Sequence, residues 1–135
     1  LASAGLLRLG LEDRISARIP IAEMLPAVGQ GAIAIETRTD DEFTVLTTSK
    51  LDHHETRVAC LAERAFLRGL GGGCQLPIAA HATISDDALT LQGLVAKPDG
   101  SEIWRDSLSG TLNDAEQLGS TLATRLIERG ATVSS

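Results

Sequence analysis

Tyrosine is absent from this chain, and the other aromatics amount to Phe43, Phe66 and Trp104. A nucleic-acid surface wants stacking rings and clustered basic residues. Here 18 acidic residues outnumber 12 basic ones, for a net charge of -6, so no nucleic-acid partner is expected. An anionic small molecule would have to be held by local arginines against the overall charge. Cysteine is almost as scarce, with only Cys60 and Cys74. One pair does not describe a disulfide scaffold and suits a reducing compartment. No apolar run approaches the length of a membrane-spanning helix, and the N-terminus lacks the basic, apolar and small-residue succession of a signal peptide. The expectation is a soluble, cytoplasmic protein without membrane contact. An initiator methionine is also missing: the chain opens on Leu1-Ala2-Ser3 and enters an apolar segment at once, as though cut from inside a longer protein.

What is present suffices for one core, since 43% of the 135 residues are apolar. Leu6, Leu7 and Leu9 around Gly5 suggest a short helix ending at Gly10, with Arg8 among its apolar residues. Glu12 to Met24 is read as irregular or briefly helical. Pro26 and the Gly29, Gly31 pair bracket a loop that feeds Ala32-Ile33-Ala34-Ile35, the pattern of a buried strand entered from a tight turn. The glycines flanking Gln30 let backbone amides face a ligand, and the Gln30 amide can donate and accept; a plain turn with an exposed glutamine is the alternative. Asp40 to Leu51 carries a weak helical pattern.

The clearest helix opens at Asp52-His53-His54-Glu55, with Asp52 expected to cap it and Glu55 to complete a capping box. Val58, Leu61, Ala62, Ala65 and Phe66 share one face, and Arg57, Arg64 and Arg68 the other. Adjacent histidines point apart and no second ligand pair follows at zinc spacing, so no metal site is expected. Cys60 falls between the faces as a packing residue. Three strands are then expected: Leu76 to Ile84, Ala88 to Ala96 and Glu102 to Ser109. They are joined by turns at Ser85-Asp86-Asp87 and Lys97-Pro98-Asp99-Gly100. Asn113 is expected to cap a last helix bearing Leu118, Leu122 and Leu126 and stopped by Gly130. Helix, meander and helix make an α+β unit with helices on one face of an antiparallel sheet. Residues 52–135 are assigned to that domain. Residues 1–51 do not complete a fold of their own and read as the tail of preceding domains.

Between the long helix and the first strand lies Gly71-Gly72-Gly73-Cys74-Gln75-Leu76-Pro77-Ile78. Glycine runs admit positive φ and close approach to the main chain. A thiol there is open to chemistry, and an inert connector is the competing reading. Local sequence leaves both open.

Four segments carry a family likeness. Ala4-Gly5-Leu6-Leu7-Arg8-Leu9-Gly10, then Leu25 to Ala32, then His53-His54-Glu55-Thr56 with Ala62-Glu63-Arg64, and finally Gly72 to Ile78, resemble the porphobilinogen deaminase (hydroxymethylbilane synthase) family in order and near-family spacing. The resemblance implies a transferase of tetrapyrrole and heme biosynthesis with two periplasmic-binding-protein-like α/β domains and a small α+β third domain. This chain would be the end of the second domain, a crossover segment to the first, and all of the third. In such an enzyme Cys74 would hold a dipyrromethane cofactor by a thioether. Four porphobilinogen units would be added to it head to tail with loss of ammonia, and hydroxymethylbilane released. Arg8 would pair with pyrrole carboxylates, as a guanidinium can with two parallel hydrogen bonds, and Gln30 and Gly31 would border the substrate or cofactor. No catalytic acid or base falls within this chain on that reading, so the chain alone would be inactive. Its partners would be porphobilinogen, the growing polypyrrole and the N-terminal domains of the same protein, as a monomer. A non-enzymatic binding or regulatory module of α+β class is the alternative, and a redox pair of Cys60 with Cys74 a weaker third idea.

Overall fold

The computed structural model describes residues 2–72 and 77–131. Its elements in order are α1 (Ser3–Arg8), α2 (Glu42–Thr48), α3 (His54–Gly69), β1 (Ile78–Ser85), β2 (Ala88–Ala96), β3 (Ile103–Thr111) and α4 (Ala115–Glu128). Short 3-10 turns follow α1 and α2 and precede α4.

The strands form one antiparallel meander in the order β1, β2, β3. Alternation does the sorting, because successive side chains point to opposite faces. Ala80, Ala82, Leu89, Leu91 and Val95 are buried on the face that α3 and α4 cover. Leu91 stands opposite both Ala82 and Leu108, which fixes the register through the core. The β1–β2 hairpin turns on Asp86 and Asp87, both at positive φ, a conformation in which aspartate is tolerated better than most residues. The second hairpin closes with Lys97 N–H donating to the Glu102 carbonyl at 2.9 Å, and Gly100 supplies the positive φ.

The two long helices pack on each other at glycine and alanine. A methyl group on Gly119 would lie 2.3 Å from the Ala62 carbonyl oxygen, so the α4 backbone rests directly on α3. Gly93 plays a similar part in the sheet, where a methyl group would meet the Phe66 ring at 2.6 Å. Phe66 and Leu122, both fully buried, fill the layer between helices and sheet.

Three expectations need correction. Asp52 does not cap α3: His53 does, its Nδ1 accepting from Thr56 N–H at 3.3 Å, while Asp52 pairs with Arg57. Nor does Asn113 cap α4; the cap position is Asp114, after a 3-10 turn, and Glu116 reaches across to Arg68 at 2.7 Å. The apolar run Ala32 to Ile35 is no buried strand. It is irregular and open to solvent, with Ile33 81% exposed, because no described strand lies beside it to complete a hydrogen-bond ladder.

The helix ending before Gly10, the helix after Asp40, the three strands and the last helix are where the pattern put them, within a few residues. Asp41 caps α2 through its side chain, accepting from Thr44 N–H at 3.0 Å. Among described residues before α3, only Leu25 is buried. The large apolar side chains left on the surface are concentrated there, Leu9, Met24, Phe43, Leu46 and Leu51 included.

Candidate functional site

The site is built around the turn from Pro26 to Ala32. Two consecutive turns form it: Gln30 N–H donates to the Ala27 carbonyl at 3.0 Å, and Ala32 N–H to the Gly29 carbonyl at 3.1 Å. Gly29 and Gly31 sit at φ 71° and 89°. These are left-handed values that side chains rarely adopt, so the glycine pair is what lets the chain present Gln30 outward. Gln30 is exposed.

The turn is fastened to the body of the fold at three places. Leu25 inserts to 6% exposure. The Pro26 carbonyl accepts from Ala80 N–H at 3.1 Å. Glu63, from the middle of α3, accepts from Gly29 N–H at 2.7 Å with one carboxylate oxygen and from Ala82 N–H at 2.9 Å with the other. Ala80 and Ala82 belong to β1, an edge strand, whose outward N–H groups would otherwise be bare. Glu63 is the one buried charged residue among those described. A buried carboxylate is tolerable when its oxygens are hydrogen-bonded, and each such bond to a charged acceptor contributes roughly 1.5–3 kcal/mol. His81 Nδ1 stands 3.9 Å from the same oxygen that Ala82 reaches, too far for a hydrogen bond.

Beside the turn, a cavity of about 790 Å³ opens between α3 and the segment 31–35. Gly31 and Ile33 form one side; Arg57, Cys60, Leu61 and Arg64 form the other. Arg57 is engaged, its Nε donating to Asp52 at 2.9 Å. Arg64 is exposed and in no ion pair among the described residues. Burial pushes the Cys60 thiol above its ordinary value; the Glu63 charge adds to this and Arg64 partly opposes it. Cys60 is therefore a protonated packing thiol at neutral pH, not an activated one.

The structure thus brings Gly31 to the cavity wall and leaves Gln30 at the outer edge of the same turn. Arg8, the last residue of α1, is exposed and does not line that cavity. Cys74 lies outside the described residues, and with it the pairing of Cys60 with Cys74. The residue that sequence reasoning passed over is Glu63. A signal for it existed: an acid three residues before the buried Phe66 falls at the margin of an apolar helix face, where a charge has to find partners.

Two family models match the chain. One, described as porphobilinogen deaminase, C-terminal domain, covers residues 57–128. The other, described as porphobilinogen deaminase, dipyromethane cofactor binding domain, covers residues 1–45. The porphobilinogen deaminase of Pelotomaculum thermopropionicum is 49% identical over 131 residues, which is 97% of this chain and 42% of that protein. That of Synechococcus elongatus is 50% identical over 131 residues, again 97% of this chain and 41% of the relative. The chain thus spans about two fifths of the length of these curated relatives. It belongs to the porphobilinogen deaminase family.

Proposed function

We propose that this chain is the cofactor-bearing, C-terminal portion of a hydroxymethylbilane synthase. On this reading Cys74 carries a dipyrromethane, Gln30 and Gly31 border the cofactor or substrate, and Arg8 pairs with a pyrrole carboxylate. When bound, the cofactor supplies the pyrrole carbon onto which porphobilinogen units are added with loss of ammonia, before hydroxymethylbilane is released. Residues 1–51 form the end of a second domain with its crossover segment, and residues 52–135 form the third domain. The remaining partner is the N-terminal part of the same protein, which acts as a cytoplasmic monomer. Among described residues no helix is long and apolar enough to cross a membrane.

One observation carries the reading: α3, which leads into the Cys74 segment, also grips the Gln30 turn through Glu63. The residues present suit a ligand made of flat, carboxylate-bearing rings. The cavity has an apolar wall at Ile33 and Leu61, a main-chain glycine at Gly31, and the guanidinium of Arg64, which is in no ion pair among the described residues. A guanidinium is the group that best matches a carboxylate. The exposed apolar side chains of residues 1–51 support the second part of the proposal, since a surface so rich in Leu, Ile and Phe suits contact with another domain.

The test is Cys74→Ser in a protein carrying the relatives' full length. Intact mass and a pyrrole-reactive colour reagent should find no covalently held dipyrromethane and no bilane formation. A cofactor still attached would overturn the Cys74 assignment. The chain alone should not turn over porphobilinogen, and measurable bilane would overturn the division of labour.

A further inference from the structure

We infer that Glu63 is a positioning residue whose carboxylate bridges the Gly29 amide and the edge strand β1, so that the Gln30–Gly31 turn is held in register with α3. The inference deepens the proposed function and rests on it for the meaning of the turn.

The two oxygens of Glu63 have separate duties, one toward Gly29 at 2.7 Å and one toward Ala82 at 2.9 Å. Glu63 stands 34 residues from Gly29 and 19 from Ala82 in sequence, so the carboxylate ties an upstream loop to the downstream hairpin. A carboxylate is the group that can do this, because it is acceptor on both oxygens. The Pro26 carbonyl bonds Ala80 N–H on the same edge. Loop and helix therefore saturate adjacent outward amides of β1 together. Gly29, at positive φ, is shared by the two turns, the third residue of the first and the first of the second, so the held amide lies where the chain is set to present Gln30. In sequence, Cys74 follows the end of α3 at Gly69 by five residues.

Glu63→Gln keeps size and shape but converts one oxygen into an NH2 donor, which then faces an N–H donor. One of the two bonds is lost and replaced by repulsion. In a protein of the relatives' full length, hydrogen exchange should accelerate by about ten- to a hundredfold in peptides covering residues 25–32 or 77–85, whichever amide comes to face the NH2 group, the loss expected for one hydrogen bond to a charged acceptor. The KM for porphobilinogen should rise more than kcat falls. Leu122→Ala, which opens the core away from the turn, serves as the control for general destabilisation: it should lower thermal stability without raising exchange in 25–32 selectively. A cycle with Gln30→Ala separates the two layers of the argument. If Glu63 acts through the turn, the double variant has the KM of the worse single variant.

Exchange that is unchanged in both 25–32 and 77–85, or raised equally by Leu122→Ala, overturns the latch. KM effects of Glu63→Gln and Gln30→Ala that multiply overturn the positioning role. If Gln30→Ala alone leaves KM unchanged, the turn is not part of the site and the functional reading falls, while the exchange result still decides whether Glu63 holds the turn.

Discussion

Replacing Gly119 by alanine sets two physical effects against each other, and the structure decides which wins. On helix propensity alone, glycine to alanine inside α4 should stabilise by about 1 kcal/mol. The added methyl group, however, would lie 2.3 Å from the Ala62 carbonyl oxygen and 2.7 Å from both the Ala65 Cβ and the Phe66 nitrogen. Two of these three neighbours are backbone atoms of α3 and cannot rotate aside. Contacts under 3.0 Å are essentially never made by a real Cβ, so α4 has to move off by most of an ångström. That movement loosens Leu122 and Ala123, both fully buried, along with Phe66 beneath them. Overpacking of this kind costs about 1–3 kcal/mol, occasionally more. The low end would merely cancel the propensity gain, but immobile backbone neighbours place this site at the high end or beyond it. The expected result is a net loss of roughly 2 kcal/mol, or a melting temperature lower by about 8–16 °C for a unit of this size. Thermal unfolding followed by far-UV circular dichroism and by tryptophan fluorescence measures it. Trp104 is the one tryptophan, and its Nε1 donates to the Arg129 carbonyl at the end of α4, so it reports on the docking of that helix. A melting temperature equal to or above that of the parent would refute the close approach of the helices.

Two further expectations concern protonation. Asp41 is held below its ordinary value of 3.8, chiefly by the Thr44 hydroxyl at 2.6 Å and then by the Thr44 amide. Its capping contribution is therefore present above the unfolded value and lost as pH falls through the lower folded value; the Thr44 amide resonance should titrate with a midpoint below 3.8, and a midpoint at or above it would remove the cap. The Cys60 thiol, pushed above 9.0 mainly by burial, should alkylate with a pH midpoint above that value in a Cys74→Ser background, and rapid reaction at neutral pH would contradict the packing role.

Local pattern made most of the elements legible. Leu89, Leu91 and Val95 alternate within Ala88 to Ala96 and mark a half-buried strand, and β2 has those bounds. Capping was legible only in kind. The chemistry of Asp52-His53-His54 announces a helix start, but three adjacent polar residues compete for one position. His53 takes it because Asp52 is drawn off to Arg57. The run Ala32 to Ile35 misled for a different reason. A strand is a relation between segments, and apolar β-branched composition states only that a segment could pair, not that a neighbour is there.

The site divides in the same way. Gly29, Gln30 and Gly31 were readable as a turn, because two glycines around one residue mark a turn by residue type alone, and the exposed Gln30 is also what a plain turn gives. Glu63 was legible at most as a charge in need of partners, and not in who they are, since Gly29 and Ala82 come from opposite directions along the chain and meet it only after the meander has folded against α3.

By itself the sequence determined the α+β class, the order of the helices and strands from α3 onward, and the ordered motifs that carry the family likeness. These depend on periodicity and residue type, which are local. Only the tertiary structure decided that the Gln30 turn is clamped to an edge strand by a carboxylate buried in α3, and that Gly119 and Gly93 are places where backbone and ring must touch. Burial of a charge and contact at a glycine depend on what arrives from elsewhere in the chain, and no local window contains that.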